Sequence, residues 1–195
     1  MKTYLYPKLN TVYMRITISG KAGSGKSTVA KSLAEKLKLK HYSIGDLMRA
    51  MAHEKKISLL ELNQLAEKNK SIDLELDNRL KELGKKENNF IVDGRLTAFF
   101  IPKADVRIFL DTEDEVRAQR IMNDKKRKEA NPNLKETLEN IQKREESEKK
   151  RYREYYNVDY RDRKLYNCFI DTTNISPQEV VNKVLEFVKT LQKSL

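Results

Sequence analysis

Apolar residues along this chain follow two rhythms. Short runs at residues 14–18, 41–44, 90–92, 106–110 and 168–171 carry the β-branched, aromatic and aliphatic residues that suit strands, and glycine or polar residues bound them. Between these runs apolar positions recur every three or four residues, as in Val29, Leu33 and Leu37. That spacing puts one greasy stripe on a helix. Ser58 with Glu61 has capping-box spacing ahead of Leu59, Leu62 and Leu65, and Ser71 is placed to cap a helix carrying Leu76, Leu80 and Leu83 that Gly84 and a basic turn end. Thr112 with Glu115 predicts a further start, with Glu113 and Asp114 suiting the positive end of the helix. That helix soon turns polar, with Arg117, Arg120, Lys125, Lys126, Arg127 and Lys128, and Asn131-Pro132 is expected to break it. Asn133 with Glu136 then opens a long charged helix running toward Tyr156. Ser176, Pro177 and Glu179 open the last one, whose apolar face is Val180, Val184, Leu185, Val188 and Leu191.

Strands alternating with helices predict an α/β fold, a parallel central sheet covered by helices on both faces. In such sheets the carboxyl ends of the strands make the ligand-binding rim. That rule collects the loop after the first strand, residues 43–49, Asp93-Gly94-Arg95, Asp111 and the segment after Asp171 on one edge. No repeat or low-complexity tract interrupts residues 14–195, which read as one domain. Residues 1–13 show no periodicity. They read either as an extension ahead of a start at Met14 or as an arm packed on the domain.

Composition narrows the partners. Of 195 residues 35% are charged, and the formal net charge is +11, which suits a polyanion, nucleotide or nucleic acid alike. The single cysteine, Cys168, allows no intrachain disulfide and fits a reducing compartment. The most apolar run, residues 98–101, ends at Pro102, far short of a bilayer span, and the N-terminus lacks a secretory apolar stretch. A cytoplasmic, monomeric protein is the expectation.

One stretch carries chemistry by itself. Gly20, Lys21, Ala22, Gly23, Ser24, Gly25, Lys26, Ser27 and Thr28 follow a strand, open a helix and fill the pattern G-x-x-x-x-G-K-[ST]. Glycines let backbone N–H groups turn inward around a phosphate, and the helix N-terminus adds further donors and a positive dipole end. Lys26 is expected at the terminal phosphates and the Ser27 hydroxyl at Mg²⁺. The stretch predicts a P-loop that binds a nucleoside triphosphate.

Asp93 ends an apolar strand on the same rim and is expected to hold Mg²⁺ with Ser27, directly or through water; the plainer reading is a strand-end turn. Arg95 would face the phosphates, and Arg49 is well placed to grip a second, acceptor phosphate. Arg144, Glu148 and Arg151 share one helix face. On spacing alone they form a solvated salt-bridge stripe, as do Arg117 and Arg120. Two arginine-bearing helices flanking Asn131-Pro132 look like a hinged lid over residues 117–155, which would exclude water from the reacting phosphates. His41 and His53 are the only histidines, too few for a zinc cluster, and His41 reads as a strand-edge residue rather than a base. Tyr152, Tyr155, Tyr156, Tyr160 and Tyr166 are expected to cover the sheet edge.

Taken together, these residues resemble the cytidylate kinases, in particular the short, mostly archaeal type. The matching segments are Gly20 to Thr28, residues 43–49, Ile72-Asp73 with residues 76–80, residues 92–96, residues 104–120 and residues 144–152. The resemblance implies a P-loop NTPase fold, three-layer α/β/α with a helical lid, and transfer of the γ-phosphoryl of ATP to CMP or dCMP with Mg²⁺. It implies that residues 45–88 form a helical monophosphate-binding region. Within it Asp46 belongs to the matching motif, and Asp73, Asp77 and Arg79 are candidates for reading the base. By the same resemblance Arg49, Asp93, Arg95 and Arg151 would hold the acceptor, Arg144 and Glu148 its sugar or base, and Arg117 and Arg120 would close over ATP. Lys26, Arg95, Arg120, Arg144 and Arg151 would then be the catalytic cations. The longer bacterial enzymes differ in carrying an acidic residue where this chain has Leu96, and a larger insert than residues 49–90 provide. Here the loop interior is Lys21-Ala22 rather than proline-rich. Open alternatives are a kinase for AMP or UMP, and a nucleotide-dependent RNA-binding module; nucleic acid is not called for by the favoured reading.

Overall fold

The computed structural model describes residues 13–124 and 133–193. Five strands, β1 (Arg15–Gly20), β2 (Lys40–Ser43), β3 (Phe90–Asp93), β4 (Val106–Asp111) and β5 (Cys168–Asp171), lie in the order β2-β3-β1-β4-β5, every neighbouring pair parallel. The helices are α1 (Lys26–Leu37), α2 (Ile44–Glu54), α3 (Leu59–Lys68), α4 (Ser71–Lys86), α5 (Thr97–Phe100), α6 (Asp114–Asn123), α7 (Leu134–Tyr156) and α8 (Pro177–Lys193). The architecture is α/β with helices on both faces of the sheet. Among the described residues no helix is long and apolar enough to cross a membrane.

Strand alternation sets the two faces. Ile16, Ile18, Val106, Ile108 and Leu110 point to one side and pack with Val29 and Leu33 of α1 and Val180 and Val184 of α8. On the other side Phe109 meets Tyr152, Tyr160 and Tyr166, and Phe90 and Val92 meet Leu80 and Ile101. A third cluster, Met48, Ala52, Leu62, Ala66, Ile72 and Leu76, holds α2, α3 and α4 together beyond the β2 edge. The tyrosines expected at the sheet edge split in function. Tyr152, Tyr160 and Tyr166 are buried on the sheet, whereas Tyr155 and Tyr156 reach α3 and α4 through hydrogen bonds to Ala66 O and Asp77.

The Ser58–Glu61 capping box, the Asn133 cap on Glu136 and the Ser176–Glu179 pair form as the sequence predicts. Two caps do not. Ser71 lies inside α4, and its N–H and hydroxyl both donate to Asn69 Oδ1, so the asparagine anchors that start. Thr112 donates to Asp111 O and pairs with the Thr172 hydroxyl at 2.6 Å, tying β4 to the segment after β5. It is therefore not available to cap α6, whose first residues have no side-chain cap. Helix α4 ends at Lys86, in the basic turn after Gly84, as the sequence predicts. The break expected at Asn131-Pro132, and with it the lid hinge, lies outside the described residues.

Candidate active site

The glycine loop joins β1 to α1 at the carboxyl edge of the sheet. Gly20 is obligatory there, because a Cβ would lie 2.2 Å from Leu110 O. Gly23 adopts φ +79 and rests on α6, where a Cβ would meet Arg117 O at 2.6 Å. Lys26, nearly buried, donates from Nζ to Lys21 O at 2.6 Å, which holds the ammonium over the loop it opens.

Asp93 sits at the end of β3, only 2% exposed, and gathers its neighbours. Ser27 Oγ donates to its Oδ2 at 2.8 Å, Ser43 Oγ to the same oxygen at 3.3 Å, and His41 Nε2 bonds Oδ1 at 2.7 Å. Parallel register explains the meeting: Ser43 pairs with Asp93 across β2 and β3, and His41, two residues earlier, shares its face. Hard oxygen donors from Ser27 and Asp93 converge as a magnesium site with phosphate ligands requires.

Beside this edge opens a cavity that runs from the loop toward α4. Lys26, Ser27 and Asp93 stand at one end with Arg49, Arg95 and Arg144 around them, and Asp73 and Asp77 close the other. Ile44, Met48, Leu59, Leu76, Leu80, Leu96 and Tyr152 make apolar walls. Arg95 donates to Glu148 Oε2 at 2.7 Å and to Gly20 O at 2.8 Å. Burial alone would lower the Arg95 guanidinium's proton affinity, but the adjacent Glu148 charge raises it, and Arg95 with Arg144 holds Glu148 below the usual carboxylate range despite burial. For Asp77 the nearby cations, Lys81 and Arg151, offset burial less. Burial pushes its carboxyl up to about 6 against a hydrogen bond from Tyr156, and Asp73 nearby adds to the rise.

A second hollow lies on the far side of the loop, lined by Gly23, Ser24, Gly25, Thr28, Arg120, Ile175 and Pro177. Arg120 donates there to Thr172 O at 2.7 Å and to the Thr172 hydroxyl at 3.1 Å. Lys31, Asp46 and Arg49 flank a third opening over Lys26, Ser27 and Thr28. Asp46 faces that opening, where it pairs with Arg49, and does not line the cavity that runs toward α4.

Three expected site residues fall elsewhere. Arg79 points to solvent and pairs with Glu75 one turn earlier, because its position on α4 faces away from the cavity. Arg151, 1% exposed, sits behind the wall, where Asp73 Oδ2, Asn63 O and Oδ1, and Ser147 Oγ accept from its guanidinium. Arg117 is buried under the loop instead of lying over a nucleotide and donates to Ala22 O, Asp114 and Glu145. Conversely, His41, Tyr156 and Thr172 stand at the site without having been singled out for it. The spacing of His41 with Ser43 was the available signal for the first.

A parallel sheet with this loop, a cation-lined second cavity and an acid at the strand end defines the small-molecule P-loop kinases. The family model described as "Cytidylate kinase-like family" matches residues 15–174, and the chain belongs to that family. A cytidylate kinase of Natronomonas pharaonis is 42% identical over 86% of this chain and 85% of its own length. One of Methanocaldococcus jannaschii is 39% identical over 92% of this chain and 100% of its own. Among solved structures, shikimate kinase from Acinetobacter baumannii in complex with shikimate shares the fold, with TM-score 0.59 at 18% identity over 91% of this chain and 93% of that one. A gluconokinase from Sinorhizobium meliloti gives 0.62 at 17% over 95% and 97%.

Proposed function

We propose that this chain is an ATP-dependent kinase that transfers the γ-phosphoryl group to CMP or dCMP, giving ADP and CDP or dCDP. The single observation that carries this reading is the cavity that begins at Lys26 and Ser27 and ends on the buried Asp77 carboxyl. Phosphate-binding groups of the loop and a carboxyl of α4 line one cavity, which suits a nucleoside monophosphate laid with its phosphate at the loop and its base at α4. The names of the relatives agree with that reading.

In this scheme the loop N–H groups and Lys26 hold the β- and γ-phosphates, and Arg120 takes the donor from the α6 side. Ser27 and Asp93 would hold Mg²⁺, which when bound neutralises charge on the transferring group. Arg49, Arg95 and Arg144 neutralise the acceptor phosphate and its attacking oxygen, so positioning and electrostatics supply the rate without a covalent intermediate. For Arg49 this requires release from Asp46, with which it pairs in the free chain.

Base choice falls to Asp77. Its ionised carboxylate accepts from the cytosine N4 amine but meets the uracil O4 lone pair to lone pair. The test is ADP release with CMP, dCMP, UMP, AMP and GMP as acceptors. CMP and dCMP are expected to react well, UMP more weakly, and the purines hardly at all. AMP as the preferred acceptor overturns the cytidylate reading and leaves the P-loop kinase standing.

A further inference from the structure

Two guanidiniums fasten the phosphate loop to α7. Arg95 bonds Gly20 O and Glu148, and Arg117 bonds Ala22 O, at 3.2 Å, and Glu145. Glu145 and Glu148 stand one turn apart on the helix that carries Arg144 into the acceptor cavity. Arg95 belongs to that cavity. Arg117 does not: it has no exposed surface.

Its geometry bears on the loop itself. In a planar trans peptide the C=O and the following N–H point to opposite sides. Fixing Ala22 O from behind therefore turns the Gly23 N–H to the opposite side of the loop, toward the bound phosphate. Gly23 also packs directly on the Arg117 backbone, with room for no side chain. A shift of the loop must then move Arg117, and Arg117 is bonded to α7.

We propose that Arg117, acting through Glu145, is a positioning residue that couples occupation of the phosphate loop to the placement of α7, so that donor and acceptor each tighten the other's binding. The inference rests on the reading that the loop takes the donor and the α7 cavity takes the acceptor. Coupling between two sites is a free energy and is reciprocal. The route here is contiguous, from loop carbonyl through guanidinium and carboxylate to helix.

Removing Arg117 would empty a fully buried charged position and endanger the fold, so the test is Glu145→Ala. Asp114 still pairs with Arg117 in that variant. Calorimetry gives the dissociation constants of a non-hydrolysable ATP analogue and of CMP, each alone and each with the other present. In the wild type each ligand should tighten the other by roughly tenfold or more. In Glu145→Ala each should bind alone within about twofold of wild type, while the mutual enhancement falls by roughly fivefold or more. Glu145→Gln keeps an acceptor oxygen and should restore part of it, and it serves as the test if the alanine variant fails to fold. A merely structural bond would lower the melting temperature of Glu145→Ala and leave the enhancement intact, which overturns the inference. Independent binding in the wild type also overturns it. Failure of CMP to bind at all instead overturns the proposed function on which it rests.

Discussion

The two sides of the candidate active site are built from different materials. The donor side is backbone: successive residues from Gly20 to Thr28, turned by glycines and finished by one lysine and one hydroxyl. The acceptor side is side chain, drawn from β3, α2, α4 and α7. Its ion pairs span 78 residues from Arg151 to Asp73 and 53 from Arg95 to Glu148. Such a wall stands only when the whole domain is folded. It also carries its charge differently. Arg95 and Arg151 are neutralised in advance by the buried carboxylates of Glu148 and Asp73, which fixes their geometry. Burial keeps Asp73 above its ordinary carboxylate range even with Arg151 beside it, whereas Arg95 and Arg144 together hold Glu148 low. A site made from paired charges is rigid, and removing one partner strands the other.

The largest effect should come from breaking the donor side at its one indispensable charge. Lys26→Ala is expected to lower kcat by roughly 10³-fold or more, the scale seen when a charge stabilising a transferring group is lost. Circular dichroism and CMP affinity should stay near wild type, because the acceptor wall does not use Lys26 to stand. Turnover close to wild type would remove the loop from the chemistry.

On the acceptor side the corresponding change is Asp77→Asn. It should reduce kcat/KM for CMP by roughly 10²-fold and shrink the preference for CMP over UMP, since a site that pairs a base edge loses most when that pairing group changes. The KM for ATP should hold. An unchanged CMP-to-UMP ratio would take base reading away from Asp77.

The same contrast explains what could be read before folding. The loop, its strand and its helix are local, so spacing alone predicted them, as it did the capping pairs at Ser58 and Asn133. Asp93 was legible because a strand end on the loop's rim admits few other places. His41 reads as a strand-edge residue and lies on the edge strand β2, but its bond to Asp93 is set by the neighbouring of β2 and β3, and strand order leaves no trace in periodicity. Arg117, Arg144 and Arg151 occupy similar helical stripes in sequence. Only packing separates the one under the loop from the one in the cavity and the one behind Asp73. Arg79 lies on the same matching segment as Asp77, but two positions further along α4 faces another way.

Arginines near the two openings offer a finer test of the division. Arg120→Ala should raise the KM for ATP by roughly tenfold and leave that for CMP unchanged; Arg144→Ala should do the reverse, each losing a bond to a charged phosphate. Melting temperatures should barely move. If the effects cross with the second ligand saturating, with Arg120 altering CMP or Arg144 altering ATP, the direct contacts are not divided in the way the geometry describes. Arg79→Ala is the control, with neither constant changed.

The smallest expected effect is on stability, and its sign follows from Asp77. The carboxyl ordinarily titrates at 3.8, and burial lifts it to about 6 in the folded chain. Between those values the folded state keeps a proton that the unfolded chain has released, so stability falls as pH rises from about 4 to about 6 and then levels. Asp73, raised by the same burial, adds a slope of the same sign. Glu148 works in the opposite direction: Arg95 and Arg144 depress it, so its contribution is present above its ordinary 4.5 and is lost as pH falls. The raw profile therefore mixes opposing slopes, and a difference is needed to isolate one group. Asp77→Asn imitates the protonated acid at every pH. The difference between the thermal melts of the two proteins should be constant below about pH 4, shift by a few degrees in the variant's favour between about pH 4 and about pH 6, and level above that. A difference that stays flat from pH 4 to 8 would mean that Asp77 is as well solvated as a surface carboxylate, and the acceptor cavity would then lack the dry end that base recognition requires.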